Sequence, residues 1–161
     1  MTSFLSIDLA KCTGCRNCEL ACSVRHTGTF TPSRSRIQIL KDETQNIIIP
    51  MVCLQCEEPL CVDACPTGAV DYDDKGTLTV NEDDCIGCLN CVTACVYGGI
   101  ELDTVTRKAV KCDLCGGDPA CVPACEYGVI QLSREREGFR TRHEGMKVLS
   151  SRFGLIEGEV E

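Results

Sequence analysis

The chain has 161 residues, 16 of them cysteine, with no Trp, four Phe and three Tyr. So little aromatic bulk leaves a domain of this size short of core-filling side chains, and it calls for another kind of cross-link. A formal charge of -8 excludes the basic surface expected of a nucleic-acid binder.

In chain order, Met1 to Lys11 alternates Phe4, Leu5, Ile7 and Leu9 with polar residues and runs straight into Cys12. No basic leader precedes a continuous apolar run, so the expectation is a chain without a secretory signal, in the cytoplasm, where disulfides are rare. The first cysteine group is Cys12, Cys15, Cys18 and Cys22, spaced C-x2-C-x2-C-x3-C. Two aliphatic stretches follow, Arg36 to Leu40 and Ile47 to Val52, around polar Lys41 to Asn46, and they read as a hairpin. The second stretch is the longest apolar cluster; Pro50 interrupts it and it is far too short to span a membrane.

Cys53, Cys56, Cys61 and Cys65 form the second group, with its middle gap widened to four residues. A second hairpin is expected from Ala69 to Tyr72 and from Thr77 to Val80, around the turn Asp73-Asp74-Lys75-Gly76. The third group, Cys85, Cys88, Cys91 and Cys95, repeats the first spacing and carries a short helical turn over Leu89 to Ala94. Ile100 to Asp103 and Ala109-Val110 flank Thr104 to Lys108 as a third hairpin. The fourth group, Cys112, Cys115, Cys121 and Cys125, has a middle gap of five.

Every group opens with x2 and closes with x3, which marks an internal repeat. Gly68, Gly98 and Gly128 stand three residues after the closing cysteine of groups two, three and four, each followed by a β-branched aliphatic. That pattern predicts a positive-φ turn leading into a strand. Group one runs Cys22-Ser23-Val24-Arg25-His26 instead and is expected to leave its helix differently.

The spacing decides what the thiols are for. A structural zinc site takes four ligands, usually two C-x2-C pairs far apart, and a third cysteine crowding the first pair does not suit it. Closely spaced triplets also bridge poorly as disulfides. Three near cysteines around one face of an iron–sulfur cubane, with a fourth one helical turn on reaching a second cubane, fit the pattern. The fold expected is α+β: short helices and β-hairpins around inorganic cores. Ligand binding would supply its folding energy.

Four such groups, and in particular Lys11-Cys12-Thr13-Gly14-Cys15-Arg16-Asn17-Cys18-Glu19-Leu20-Ala21-Cys22 with Ser35-Arg36-Ile37 following, resemble the four-cluster, ferredoxin-like electron-transfer subunits of molybdenum- and tungsten-pterin oxidoreductases. The similarity is greatest to iron–sulfur subunits accompanying tungsten aldehyde oxidoreductases; related chains serve hydrogenase and carbon monoxide dehydrogenase systems. The resemblance covers about residues 5 to 132. It implies two bacterial-ferredoxin-like dicluster modules, residues 1–46 with 101–133 forming the outer one and 47–100 the inserted one. It further implies four 4Fe-4S clusters with crossed fourth ligands. These are Cys12, Cys15 and Cys18 with Cys125; Cys112, Cys115 and Cys121 with Cys22; Cys53, Cys56 and Cys61 with Cys95; and Cys85, Cys88 and Cys91 with Cys65. The implied partners are a catalytic pterin-containing subunit and a second redox carrier, either a flavin/NAD subunit or a soluble ferredoxin. A freestanding polyferredoxin is the alternative, and a zinc-binding interaction module the remote one.

Residues 1 to 133 hold ten Lys/Arg against eighteen Asp/Glu, whereas residues 134 to 161 hold six of each. The acidic body suits steering toward basic partner surfaces as well as solubility. The tail, with Arg134, Arg136, Arg140, Arg142, Lys147 and Arg152, is expected to dock on a partner subunit or on another copy of the chain. His26 and His143 read as surface residues. No catalytic residue is expected: there is no dinucleotide or phosphate fingerprint and no Ser/His/Asp set.

Overall fold

Among the described residues, eight short strands form four separate two-stranded antiparallel sheets. The computed structural model describes residues 3–44 and 46–134; the docking tail expected over 134–161 lies, after Arg134, outside them, as does His143. The terminal strands close the chain on itself: β1 (Phe4–Ile7) pairs with β8 (Ile130–Ser133), with Leu5 opposite Leu132 and Ile7 opposite Ile130. The other sheets are hairpins between successive cysteine groups: β2 (Ile37–Asp42) with β3 (Ile47–Val52), β4 (Val70–Tyr72) with β5 (Leu78–Val80), and β6 (Ile100–Leu102) with β7 (Ala109–Lys111).

The turns have local causes. Between β4 and β5 the Asp73 carboxylate accepts from the amides of Lys75 at 2.9 Å and Thr77 at 2.8 Å. Between β6 and β7 Asp103 accepts from Val105 N at 2.7 Å and Thr106 N at 2.9 Å. Pro50 sits inside β3 opposite Ile39 without breaking the sheet. The Ile39 amide turns away from β3 and donates to Glu19 Oε1 at 2.5 Å. Pro50 therefore occupies a position where no ladder donor is required.

Three helices carry the steps between cysteines: α1 (Asn17–Thr27), α2 (Leu60–Asp63) and α3 (Asn90–Ala94). Only α1 continues beyond its closing cysteine, to a Gly28 cap with φ 71° whose amide bonds Val24 O. This is the different exit expected of group one.

Two apolar clusters form the interior. The first draws Leu5, Ile37, Val52, Leu114 and Ile130 together around Cys18, Cys22, Cys53, Cys112 and Cys121. The second gathers Ala69, Val70, Ile100 and Ala109 around Cys85 and Cys91. In both, cysteine sulfur packs among the aliphatic side chains, in a small α+β fold of the class read from the sequence.

Candidate metal centre

All sixteen cysteines are free thiols. Their neighbourhoods cross between groups. Cys22, which closes the first group, lies within the electrostatic reach of Cys112, Cys115 and Cys121 of the fourth. Cys95 of the third group acts on Cys61, together with Cys53 and Cys56 of the second. Cys65 of the second group lines one cavity with Cys85, Cys88 and Cys91 of the third. Cys12 and Cys15 act on Cys18, and Cys12 and Cys125 pack against the apolar cluster that contains Cys18. The sets also lie in series: Cys18, Cys121, Cys53 and Cys112 share one buried cluster, with Cys18 acting on Cys121 and Cys53 on Cys112.

The glycine turns explain how the closing cysteines are held. Gly68, Gly98 and Gly128 adopt φ 69°, 61° and 61°, as their spacing predicted. Each turn aims the next amide back at the closing sulfur: Gly99 N reaches Cys95 Sγ at 3.3 Å and Val129 N reaches Cys125 Sγ at 3.3 Å. The Ala69 amide does the same for Cys65. Because α1 runs on, Cys22 takes a remote donor instead, Arg36 N at 3.3 Å. Ala109 N to Cys85 Sγ and Gln55 N to Cys53 Sγ, both 3.4 Å, extend the set. Gly99 also marks a close approach: a Cβ there would stand 2.6 Å from Cys53 Cα.

Burial disfavours thiolate at several of these thiols. It pushes Cys18 and Cys121 up to about 12, Cys61 to about 11, and Cys112 further still. For Cys61 the opposing influence is the positive charge of Lys111.

Four polar residues to which the sequence reading gave no role in the site sit near the thiols. Gln55, fully buried, accepts from Leu78 N at 2.7 Å and donates to Cys112 O at 2.8 Å. It thereby ties the loop of group two to β5 and to the start of group four. Lys111, 3% exposed, donates from Nζ to Leu78 O at 2.5 Å. Glu19, 2% exposed, holds β2 through Ile39 N, and its Oε2 has no hydrogen-bond partner. His26 is not the surface residue expected. Its side chain is 13% exposed, with Nε2 3.7 Å from Cys115 Sγ and 3.5 Å from Asp113 Oδ1. Burial first, then the charge of Arg36, lowers its pKa. The register of α1, four residues past Cys22, carries it onto the group-four loop. Spacing within one group gave no sign of that contact.

The donor set fits iron–sulfur clusters. Soft thiols converge from different groups, amides point at their sulfurs, and a buried ammonium stands among them with no carboxylate ion-paired to it among the described residues. Anionic, thiolate-ligated groups would supply the missing counter-charge and reverse the cost of ionising the thiols.

Two family models, both described as a 4Fe-4S dicluster domain, match residues 44–135 and 11–69. The polyferredoxin-like subunit of an aliphatic sulfonate oxidoreductase from Pyrococcus furiosus is 46% identical over 79 residues, 48% of this chain and 45% of that protein. Electron transport protein HydN of Escherichia coli is 41% identical over 95 residues, 55% of this chain and 53% of HydN. The chain thus matches about half the length of these curated relatives. Among solved structures, a chain of the active site complex BamBC of benzoyl coenzyme A reductase, in complex with benzoyl-CoA, aligns with a TM-score of 0.51 and 28% identity. That alignment covers 94% of this chain and 91% of the other.

Proposed function

This chain belongs to the 4Fe-4S dicluster family, and from that premise we propose that it carries four 4Fe-4S clusters as the electron-transfer subunit of an oxidoreductase complex. The observation that carries the reading is the crossing of closing cysteines into the thiol sets of other groups. On this reading the ligand sets are Cys12, Cys15, Cys18 and Cys125; Cys22, Cys112, Cys115 and Cys121; Cys53, Cys56, Cys61 and Cys95; and Cys65, Cys85, Cys88 and Cys91. The first two sets belong to an outer module and the last two to an inserted one. When bound, such clusters supply reversible one-electron chemistry.

The chain's own residues do the rest. The amides of Arg36, Gly99, Ala109 and Val129 fix their sulfurs in place and stabilise negative charge on them. The apolar clusters exclude water from Cys18, Cys53, Cys112 and Cys121. The nearness of successive sets within one buried cluster, Cys18 with Cys121 and Cys53 with Cys112, favours a conductor between two separated docking sites over a simple carrier. No side chain is assigned a substrate step.

The partner at one end is a tungsten- or molybdenum-pterin subunit of the aldehyde oxidoreductase type, supported by the resemblance of the Cys12 to Cys22 segment. A flavin/NAD subunit or a soluble ferredoxin takes the other end. The compartment proposed is the cytoplasm; no helix among the described residues is long and apolar enough to cross a membrane. Iron and acid-labile sulfide analysis of anaerobically purified protein should give about sixteen of each per chain. Native co-purification should recover a larger subunit containing tungsten or molybdenum. Zinc without sulfide refutes the cluster reading, and recovery as a lone chain from native cells refutes the subunit reading.

A further inference from the structure

Lys111 ends β7 and directly precedes Cys112. Along β7 the exposed side alternates, so Lys111 points inward with buried Ala109 while Val110 points away. Its ammonium meets one carbonyl, Leu78 O, and is ion-paired with no carboxylate among the described residues. A full charge with three donors is costly to hold out of water on one neutral acceptor. An anionic group bound beside it would offset that cost. The thiol it acts on is Cys61 of the second group, whose desolvation it opposes, and Gln55, from the loop of that group, shares the Leu78 carbonyl at 3.4 Å.

We propose that Lys111 is the built-in counter-charge for the cluster bound by Cys53, Cys56, Cys61 and Cys95, and that its ammonium raises the reduction potential of that cluster. The proposal rests on the cluster reading above. Uptake of one electron from a redox partner makes and breaks no bond but adds one negative charge to the thiolate-ligated group. A fixed cation in a low-dielectric interior favours that added charge. Lys111 donates nothing to iron; it is a positioning residue acting through the field. Its place at the junction where Cys53 meets Cys112 would make the third set an electron sink midway along the series.

The test compares holoprotein of the wild type, Lys111→Gln and Lys111→Arg. Iron and sulfide are counted, and electron paramagnetic resonance follows a redox titration. Glutamine keeps a donor for Leu78 O without the charge; arginine keeps the charge. In Lys111→Gln the reduced-to-oxidised ratio of one cluster at fixed ambient potential falls at least about tenfold, which is about 59 mV for a one-electron couple. The other three move by less than about threefold, and Lys111→Arg restores the ratio to within about threefold. No shift, equal shifts in both variants, or a common shift of all four clusters overturns the proposal. If Lys111→Gln loses the iron of one cluster while Lys111→Arg keeps it, the charge is what retains that cluster, which supports the proposal; equal loss in both assigns the lysine to packing and overturns it. Zinc in the wild-type protein removes the cluster reading itself, and the proposal with it.

Discussion

Replacing Gln55 by leucine isolates the polar junction from side-chain volume. The leucine fills similar space but leaves Leu78 N, now bonded at 2.7 Å, and Cys112 O, now bonded at 2.8 Å, without this partner in a fully buried site. Each abandoned group costs about 1–3 kcal/mol, so the pair costs about 4 kcal/mol. If half of that is already lost in the transition state for opening, the rate of cluster release rises about 30-fold. The assay is anaerobic bleaching of the cluster absorbance in denaturant, with iron content measured at the start. A Gln55→Leu protein with full iron that bleaches within about twofold of wild type refutes the reasoning, because the junction would then contribute almost nothing.

Gly99→Ala places a methyl group 2.6 Å from Cys53 Cα and 2.9 Å from its nitrogen, against backbone that cannot yield cheaply. The protein should assemble with about twelve irons instead of about sixteen, as measured by metal analysis. Gly28→Ala, with φ 71° and no atom within 4 Å, strains only the backbone and should keep all its iron. Asp103→Asn keeps one carbonyl oxygen for Val105 N and Thr106 N, but it puts an amide nitrogen where the second oxygen accepts from Arg34 Nε at 2.8 Å and removes the charge; it should weaken the fold by about 2 kcal/mol at neutral pH. Burial would raise the pKa of Asp103, but the Thr106 amide, the Arg34 side chain and the Val105 amide outweigh it and hold the carboxyl below 3.8. A depressed pKa means the stabilisation is fully present above the unfolded value and is lost as pH falls through the folded one. Pulse proteolysis should therefore show a constant gap to wild type from about pH 8 to about pH 5; a gap that fades over that range contradicts the assignment. Removing iron with a chelator under reducing conditions should abolish the fold, and a cooperative melt with native-like circular dichroism from iron-free protein would count against that.

What the sequence makes legible here is what repeats locally. The three hairpins fall where their turn residues and aliphatic pairs put them, and Gly68, Gly98 and Gly128 take the left-handed conformation that their spacing requires. These features depend on residues within a few positions of each other. The partners of β1 and of Pro50 do not: Leu5 meets Leu132 across almost the whole described chain, and Ile39 turns its amide to Glu19. Gln55 and Lys111 were passed over for the same reason. Each looks like an ordinary polar residue between cysteines, and only the approach of β5 buries them both against Leu78. His26 read as exposed because its group offered no local partner; α1 delivers it to Cys115, eighty-nine positions away in sequence.

A two-stranded ribbon is marginal on its own in water, and this chain contains four of them with no larger sheet among the described residues. Their inner faces rest on cysteine sulfur together with aliphatic carbon. The groups that must bind metal therefore stand where another domain would place leucine, and folding and ligation draw on the same contacts. That coupling extends to the polar residues. The amide that closes a turn after Gly98 or Gly128 is also a donor to a closing sulfur. The carbonyl that anchors Lys111 belongs to the strand Gln55 holds in register. A substitution at Gln55 should then change cluster potential as well as stability, whereas one at Asp103, whose bonds stay within its turn and Arg34, should change stability alone. Measuring both quantities on both variants separates a fold that merely houses its clusters from one whose packing sets their energies.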